Sequence, residues 1–343
     1  MKLALRYKKV IVFGLWSIVG LLAILPASIC EILYGNLIYP AVRYLFHMVS
    51  FISFPLIYIL IGVCIYLIWR LFAGSDSIKS KGISLLKGIA WALALFYLSW
   101  AFNYRRPAFD SKLPLDRSPL DSADWYKELF FAKTELESTR PAKLTVYTLK
   151  ETEEKVRKEV KLIANEFGYH APGKIRVKSL WPEGFLLRIK TAGFYLPYAG
   201  EAYIDPGLHP IQHAYTLAHE MVHGYGVTDE GACNFLAYLA LRNISDSTLK
   251  YSAQMAYYRY VASEYRFRYP GAYTSIRDSL PVDIKKDLDE INANLLKYPD
   301  LFPKLRDKVY ENYLQLQGIK EGMASYDNVI GYVRQYRKAG KLN

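Results

Sequence analysis

Long uncharged runs alternate with charged segments over the first third of the chain, and this alternation sets the first expectation. No residue from Val10 to Cys30 is charged, and the same holds from Met48 to Trp69. A third, shorter run goes from Gly88 to Tyr104. A bilayer core about 30 Å thick needs roughly 20 apolar helical residues to cross it. The pattern therefore predicts three transmembrane helices, over residues 10–30, 48–69 and 88–104, the last helped by Lys87 reaching toward the headgroups. Trp16, Trp69, Trp91, Trp100 and Tyr104 fall within these runs. Several lie near the ends, where interfacial aromatics are common. The first run is too long for the usual apolar core of a secretion signal and no A-x-A cleavage site follows it, so it reads as a retained anchor.

The flanks give an orientation. Lys2, Arg6, Lys8 and Lys9 precede the first run, and Arg70, Lys79, Lys81 and Lys87 lie between the second and third. The loop between the first and the second has Arg43 as its one Lys or Arg. Short cytoplasmic loops carry the excess of Lys and Arg. The N-terminus and the second loop are thus expected inside, and everything after Tyr104 outside; Arg105 and Arg106 run against this count.

Residues 105–120 hold Pro107, Pro114 and Pro119, which break helices and favour extended chain, so they read as a linker. A separate domain is expected over residues 121–343. Within it, "ETEEKVRKEVKLIANEFGY" places Val156, Val160, Ile163 and Phe167 on one face. That spacing predicts an amphipathic helix ended by Gly168. "KIRVKSL" alternates as a strand, "GFLLRIK" reads as its neighbour, and "TAGFYLPYAGEAYID" reads as an edge strand because of Pro197. From Pro210 onward the pattern is helical, interrupted near Gly271, Pro281 and Pro303. The expected class is α+β: three N-terminal membrane helices, then a zincin-like domain with a small sheet and a mainly helical C-terminal part.

Composition narrows the function classes. The chain has 343 residues, is 52% hydrophobic and carries a formal net charge of +12. No basic cluster, RNA-binding aromatic signature or zinc-finger spacing accompanies that charge, so it reads as membrane-surface and topology charge, and no nucleic acid is expected. The three cysteines, Cys30, Cys64 and Cys233, are far apart and imply no disulfide framework or Cys-based zinc site. The uncharged runs hold no cluster of paired charges, which argues against a transporter.

The strongest chemical signal is "HPIQHAYTLAHEMVHG". Pro210 sits in its first turn, where a missing N–H costs nothing. Ile211, Ala214, Tyr215, Ala218 and Val222 form an apolar stripe. His219 and His223 are four apart and so lie one above the other, with Gln212 and Thr216 continuing their row. Glu220 points about 100° further round. Two imidazoles at this spacing can take one Zn2+ ion, and the carboxylate between them can reach a water on it. Zinc held by three protein ligands lowers the pKa of that water to about 7, and Glu220 acts as general base. His47, His170, His209 and His213 read as structural.

"HEMVH" followed by "DEGACNFLAY" resembles the gluzincin-like zinc metallopeptidases, in which a Glu on a following helix completes the site. More narrowly, the chain resembles a bacterial family of three-span membrane proteins catalogued as a domain of unknown function, number 3810. "NYRRP", "GFYLPYAGEA", the H-E-x-x-H helix, "NFLAYLA" and "SYDNVIGYVRQYR" carry that likeness. Members of that family often carry a further acid where this chain has Ala232. The resemblance implies a substrate chain pairing with the edge strand, over Phe194 to Tyr203, and makes Tyr326 a candidate oxyanion donor.

The third ligand has two readings. H-E-x-x-H-x-x-G-x-x-D, with Gly226 at the turn, offers Asp229 in the metzincin manner. Glu230 with Asn234 four residues on has the gluzincin-like E-x-x-x-N spacing. Thr228 or Asp229 suits a helix N-cap, and a capping Asp spends its carboxylate on backbone N–H groups. Glu230 is therefore preferred, with Asn234 placed to hydrogen-bond a ligand or the neighbouring chain. The expected function is a zinc metalloendopeptidase of the bacterial cytoplasmic membrane, multi-pass, acting on peptides or proteins from the extracytoplasmic side. The competing reading is a non-catalytic envelope scaffold that keeps zinc for stability.

Overall fold

Prolines and serines set where the N-terminal helices start and stop in this computed structural model. It describes residues 14, 16–74, 77–115, 119–301, 308 and 328–342. Residues 16–24 are helical. Pro26, which has no N–H to give to a helix, interrupts the run before a turn at Ala27–Cys30. A π-helix over Glu31–Ile38 leads directly into α1, Tyr39–Met48. Pro55 caps α2, Leu56–Ala73, so this helix begins eight residues later than the uncharged run suggested. Ser77 caps α3, Ile78–Ser99, by accepting from the Ser80 N–H. Lys79, Lys81 and Lys87 therefore lie on α3 rather than in a loop before it.

Helices α2 and α3 are long and apolar enough to cross a membrane, and Ala94 is the one buried residue among the described residues of the two. That makes two such helices among the described residues, where three were expected. The first expected span starts outside the described residues and is broken at Pro26.

The chain divides into two compact units. The first comprises residues 1–107 together with the short segments 170–174 and 196–201. Polar contacts bind these segments in. Fully buried Arg43 on α1 donates to the Gly200 carbonyl at 2.9 Å and the Lys174 carbonyl at 3.1 Å. The Leu56 N–H, at the start of α2, donates to the Glu201 carboxylate at 3.1 Å, and the Tyr198 hydroxyl to the Ala92 carbonyl of α3 at 3.2 Å. Arg106 makes a two-pronged ion pair with Glu31, at 2.5 and 2.8 Å. A Cβ at position 35 would stand 2.8 Å from its Nε, so the π-helix carries Gly35 there. The segment expected to be an extended linker, residues 105–120, begins at the last residue of a 3-10 turn, Ala101–Arg105, and holds a second one, Phe109–Ser111.

The second unit comprises residues 108–169, 175–195 and 202–343. Its helices are α4 (Ser122–Thr139), α5 (Leu149–Glu166), α6 (Pro210–Gly224), α7 (Glu230–Arg242), α8 (Ser247–Arg268), α9 (Pro270–Asp278), α10 (Val282–Leu296) and α11 (Asn328–Lys338). Local chemistry explains several ends. Thr148 and Glu151 form a reciprocal capping box on α5, and Gly168 beyond its end has φ +76°. Helix α7 is buried from Glu230 to Leu241 and packs against α5, α6, α8 and α11. Phe109, Phe167, Phe235, Tyr332 and Tyr336 form an aromatic cluster at this core.

Three short strands, β1 (Arg176–Ser179), β2 (Gly193–Leu196) and β3 (Glu201–Ile204), form one sheet in the order β1-β3-β2. The class is therefore α+β with a small sheet, as the sequence predicts. Two local expectations are corrected. "TAGFYLPYAGEAYID" is not one edge strand but a hairpin, turned over 197–200 with Gly200 at φ +63°. Only its first arm, β2, is an edge; β3 lies in the middle. "GFLLRIK" is not a strand either, and ends in a 3-10 turn, Leu187–Ile189.

Asp205 accounts for the second correction. Its fully buried carboxylate accepts from the N–H groups of Gly184 (2.7 Å), Leu186 (2.8 Å), Leu187 (3.2 Å) and Gly207 (2.8 Å). Those donors are spent on a side chain and are not available to a strand ladder. The same carboxylate fixes the chain just ahead of α6. Asp205→Asn replaces one accepting oxygen by a donor that faces N–H groups and removes the charge that strengthens the other bonds. Hydrogen bonds to a charged group are each worth about 1.5–3 kcal/mol. The expected loss is about 2–3 kcal/mol of stability, read as a lowered melting temperature of the full chain; an unchanged melt would mean that this loop is held by other contacts.

Candidate metal centre

Helix α6 starts where the sequence says it should, with His209 as N-cap and Pro210 in the first turn. Its apolar stripe is buried at Ile211, Ala214, Tyr215, Ala218 and Val222. His219, Glu220 and His223 are buried with it. After the turn at Gly226 (φ +93°), Asp229 caps α7, its Oδ1 accepting from the Ala232 N–H at 2.6 Å. Glu230 is then the first residue of α7.

This geometry brings three ligand atoms together. His219 Nε2 lies 3.1 Å from Glu230 Oε2 and 3.2 Å from His223 Nε2, and His223 Nε2 lies 3.4 Å from Glu230 Oε2. A tetrahedral ion with ligands at about 2.0–2.1 Å spaces them about 3.3–3.4 Å apart. The donor set fits such an ion. Among the described residues this is the one group of three or more metal-ligating side chains arranged in this way.

Hydrogen bonds behind the rings fix which nitrogen faces inward. His223 Nδ1 is 2.9 Å from the Val227 carbonyl. A carbonyl only accepts, so Nδ1 carries a proton and Nε2 is the nitrogen left to face Glu230. His219 Nδ1 is 2.8 Å from Asn234 Oδ1, and the Tyr215 hydroxyl donates to the Asn234 carbonyl at 3.1 Å. Outer contacts of this kind set ring orientation at metal sites. Asn234 thus meets the outer nitrogen of the His219 ring. Val227 and Tyr215 escaped sequence reasoning: a backbone carbonyl leaves no trace in residue identity, and Tyr215 read only as part of an apolar stripe.

The electrostatics separate the two glutamates. Glu230 is buried, which alone would raise its pKa. The adjacent His223 and the bonds to both imidazoles more than offset this and hold it well below the usual carboxylate range. Glu220 has no such compensation. Burial raises its pKa, against a weaker lowering by His219 and His223. Its Oε2 is buried without a hydrogen-bond partner. A Cβ on Gly193 of β2 would lie 3.0 Å from Glu220 Cγ and 2.7 Å from the Tyr203 carbonyl. The missing side chain at position 193 therefore lets the edge strand pass over Glu220, a relation the sequence did not disclose.

Other expected positions lie elsewhere. Cys233 contacts His223 on its Nδ1 side, at 3.3 Å, and burial pushes its thiol up to about 12. His213 bonds to the Leu208 carbonyl at 2.9 Å, and His47 accepts from the Lys174 N–H at 3.3 Å. Tyr326 lies outside the described residues.

A protein whose buried helix pair converges two imidazoles and a carboxylate belongs to the class with a candidate metal centre. The chain belongs to the family described as Protein of unknown function (DUF3810), whose model matches residues 21–333. No curated protein and no solved structure matches it.

The two readings of the third ligand differ in outcome. With Glu230 facing both imidazoles and Asp229 engaged as a cap, Glu230→Gln in the full chain should lose zinc on dialysis, whereas Asp229→Asn should retain it and cost about 1 kcal/mol of stability through the weakened cap. Metal analysis after dialysis decides this; the opposite pattern would make Asp229 the ligand.

Proposed function

We propose that this chain is a zinc-dependent metallopeptidase anchored in the bacterial cytoplasmic membrane. The observation that carries the reading is the inward convergence of His219 Nε2, His223 Nε2 and Glu230 Oε2, beside a buried Glu220 carboxylate oxygen with no partner. These three atoms would hold the zinc. A bound zinc ion supplies a Lewis acid that polarises a carbonyl and makes water more acidic.

The chain's own residues account for the rest. Glu220 Oε2 is the free base: desolvation makes it a better proton acceptor than a solvated carboxylate. It takes the proton of the attacking water and returns it to the nitrogen of the leaving amine. The outer edge of β2 can pair with an extended peptide through main-chain hydrogen bonds, which favours a polypeptide substrate. Gly193 keeps that strand close to Glu220.

The alternative, a scaffold with a structural zinc site, finds less support. Structural sites are normally closed by four protein ligands. Cys233, a buried thiol in contact with His223, contacts the Nδ1 side of that ring and not the inward-facing Nε2.

Two apolar helices support membrane anchoring. Arg70, Lys79 and Lys81, which flank the turn between α2 and α3, support that turn in the cytoplasm and residues 105–343 on the extracytoplasmic side.

Glu220→Gln is nearly isosteric and removes only basicity. In the full chain it should keep zinc and lower hydrolysis of a casein or peptide-library substrate by a factor on the order of 10²–10⁴; wild-type turnover in that variant would sink the mechanism. Chelation should abolish turnover of the native chain, and added zinc should restore it. For topology, a C-terminal alkaline phosphatase fusion should be active and a cytoplasmic reporter fusion silent, the reverse pattern meaning an inverted chain.

A further inference from the structure

Helix α1 wears its polarity inside out. Its outward positions are Ala41, Tyr44, Leu45 and Met48, spaced three, one and three residues apart and so on one face. Tyr44 is 57% exposed, Leu45 64% and Met48 60%. Its inward positions are buried Tyr39 and Arg43, with half-buried Phe46 and His47 beside them. The inward face is fully engaged with protein: Arg43 grips the Gly200 and Lys174 carbonyls, His47 accepts from the Lys174 N–H, and Phe46 packs where a Cβ on Gly200 would clash. A surface helix in water shows the reverse order, with its apolar stripe turned to the core and its charges to solvent.

The apolar surface does not stop at Met48. Phe51 and Phe54 are exposed in the connection that follows, and Pro55 then starts α2, none of whose residues is buried. From Ile32 to Gly74 the chain has no Asp, Glu or Lys, and its only charged side chains are Arg43 and Arg70. The surface therefore runs without a charged interruption from α1 into the side of a helix long enough to cross a bilayer.

The level of α1 along that helix pair also follows from contacts within the unit. It joins the start of α2 through residues 49–55 and packs against α3. The Tyr39 ring meets that of Trp100, one residue beyond the end of α3, with centroids 6.4 Å apart. Trp100 in turn packs edge-on against Tyr104. Helix α1 thus lies where α2 begins and α3 ends, amid Tyr and Trp rings of the kind that collect at the bilayer boundary.

We infer that α1 and residues 49–54 form an in-plane element seated in the lipid interface, with Tyr44, Leu45, Met48, Phe51 and Phe54 in the acyl boundary and Arg43 turned into protein. The partner is the lipid bilayer itself, since the face continues that of a membrane-crossing helix and offers no charge, and no side-chain hydrogen-bonding group beyond the Tyr44 and Ser53 hydroxyls, to another protein. Interfacial helices bury one apolar face about 5–10 Å into the headgroup region. This element differs from them in that its polar face is taken up by the protein instead of by water. The inference rests on the membrane reading proposed above.

Spin-label accessibility in the full chain tests it. Cys64→Ser leaves only the buried Cys30 and Cys233 as native thiols. In that background Leu45→Cys and, separately, Met48→Cys carry a nitroxide in phosphatidylcholine–phosphatidylglycerol bilayers. Ile61→Cys on α2 serves as the lipid reference and Lys127→Cys on α4 as the water reference. Oxygen concentrates in lipid and a neutral nickel complex in water. The expected result is an oxygen-to-nickel ratio at both α1 sites several-fold above that at position 127 and close to that at position 61. With position 61 in lipid, a high nickel accessibility at positions 45 and 48 would overturn the inference, and so would shielding from both probes, which would mean that protein covers the face. A water-like ratio at position 61 itself would instead remove the membrane reading, and this inference with it.

Discussion

Two imidazole nitrogens and a carboxylate oxygen converge on one buried point, and the second unit is built to hold them there. His219, His223 and Glu230 come from two helices joined by a short turn, and nothing in that turn is incidental. Gly226 supplies a positive φ, Val227 presents its carbonyl to His223, and Asp229 stops the chain as a cap so that Glu230 enters on the first turn of α7. The cost of collecting these groups out of water is offset by outer contacts that orient both imidazoles, and by a positive charge when one is present. Buried aromatic rings around α7 keep the helix pair from sliding, and a displacement of even half an ångström would spoil ligand spacings of 3.1–3.4 Å.

The two glutamates of the site show how position makes chemistry. Glu230 lies against both imidazoles and stays anionic. Glu220, also buried, has one carboxylate oxygen left without a partner beneath the glycine of an edge strand. A buried carboxylate with no bond to its charged form is costly to the fold. Such an expense is usual at sites where a base must be ready and uncommon in a purely structural core.

The first unit follows the opposite rule of burial. Arg43, Glu31 and Arg106 are turned inward and paired or bonded, while Leu45, Phe51, Phe54 and Trp69 face outward. Water penalises such exposed apolar surface, whereas hydrocarbon does not and requires partners only for the polar groups.

Periodicity and capping carried most of the secondary structure. The amphipathic stripe and its Gly168 stop gave α5, and Pro210 gave the start of α6. The E-x-x-x-N spacing pointed to Asn234, because helical spacing is regular enough to align residues four apart. Signals of that kind are local, and the sequence by itself determined them: the α+β class, the helix that carries His219, Glu220 and His223, and the apolar runs that became α2 and α3. The tertiary structure alone decided what depends on distant partners. Asp205 drew the N–H groups of "GFLLRIK" away from a strand, Gly200 turned one apparent strand into two, and Gly193 came to lie over Glu220 from 27 residues away in the chain. The polar face of α1 turned inward because carbonyls at Lys174 and Gly200, more than 130 residues further on, were waiting for Arg43. No window of sequence holds such pairings, since a hydrogen bond between remote segments depends on how the chain closes and not on the neighbours of either residue.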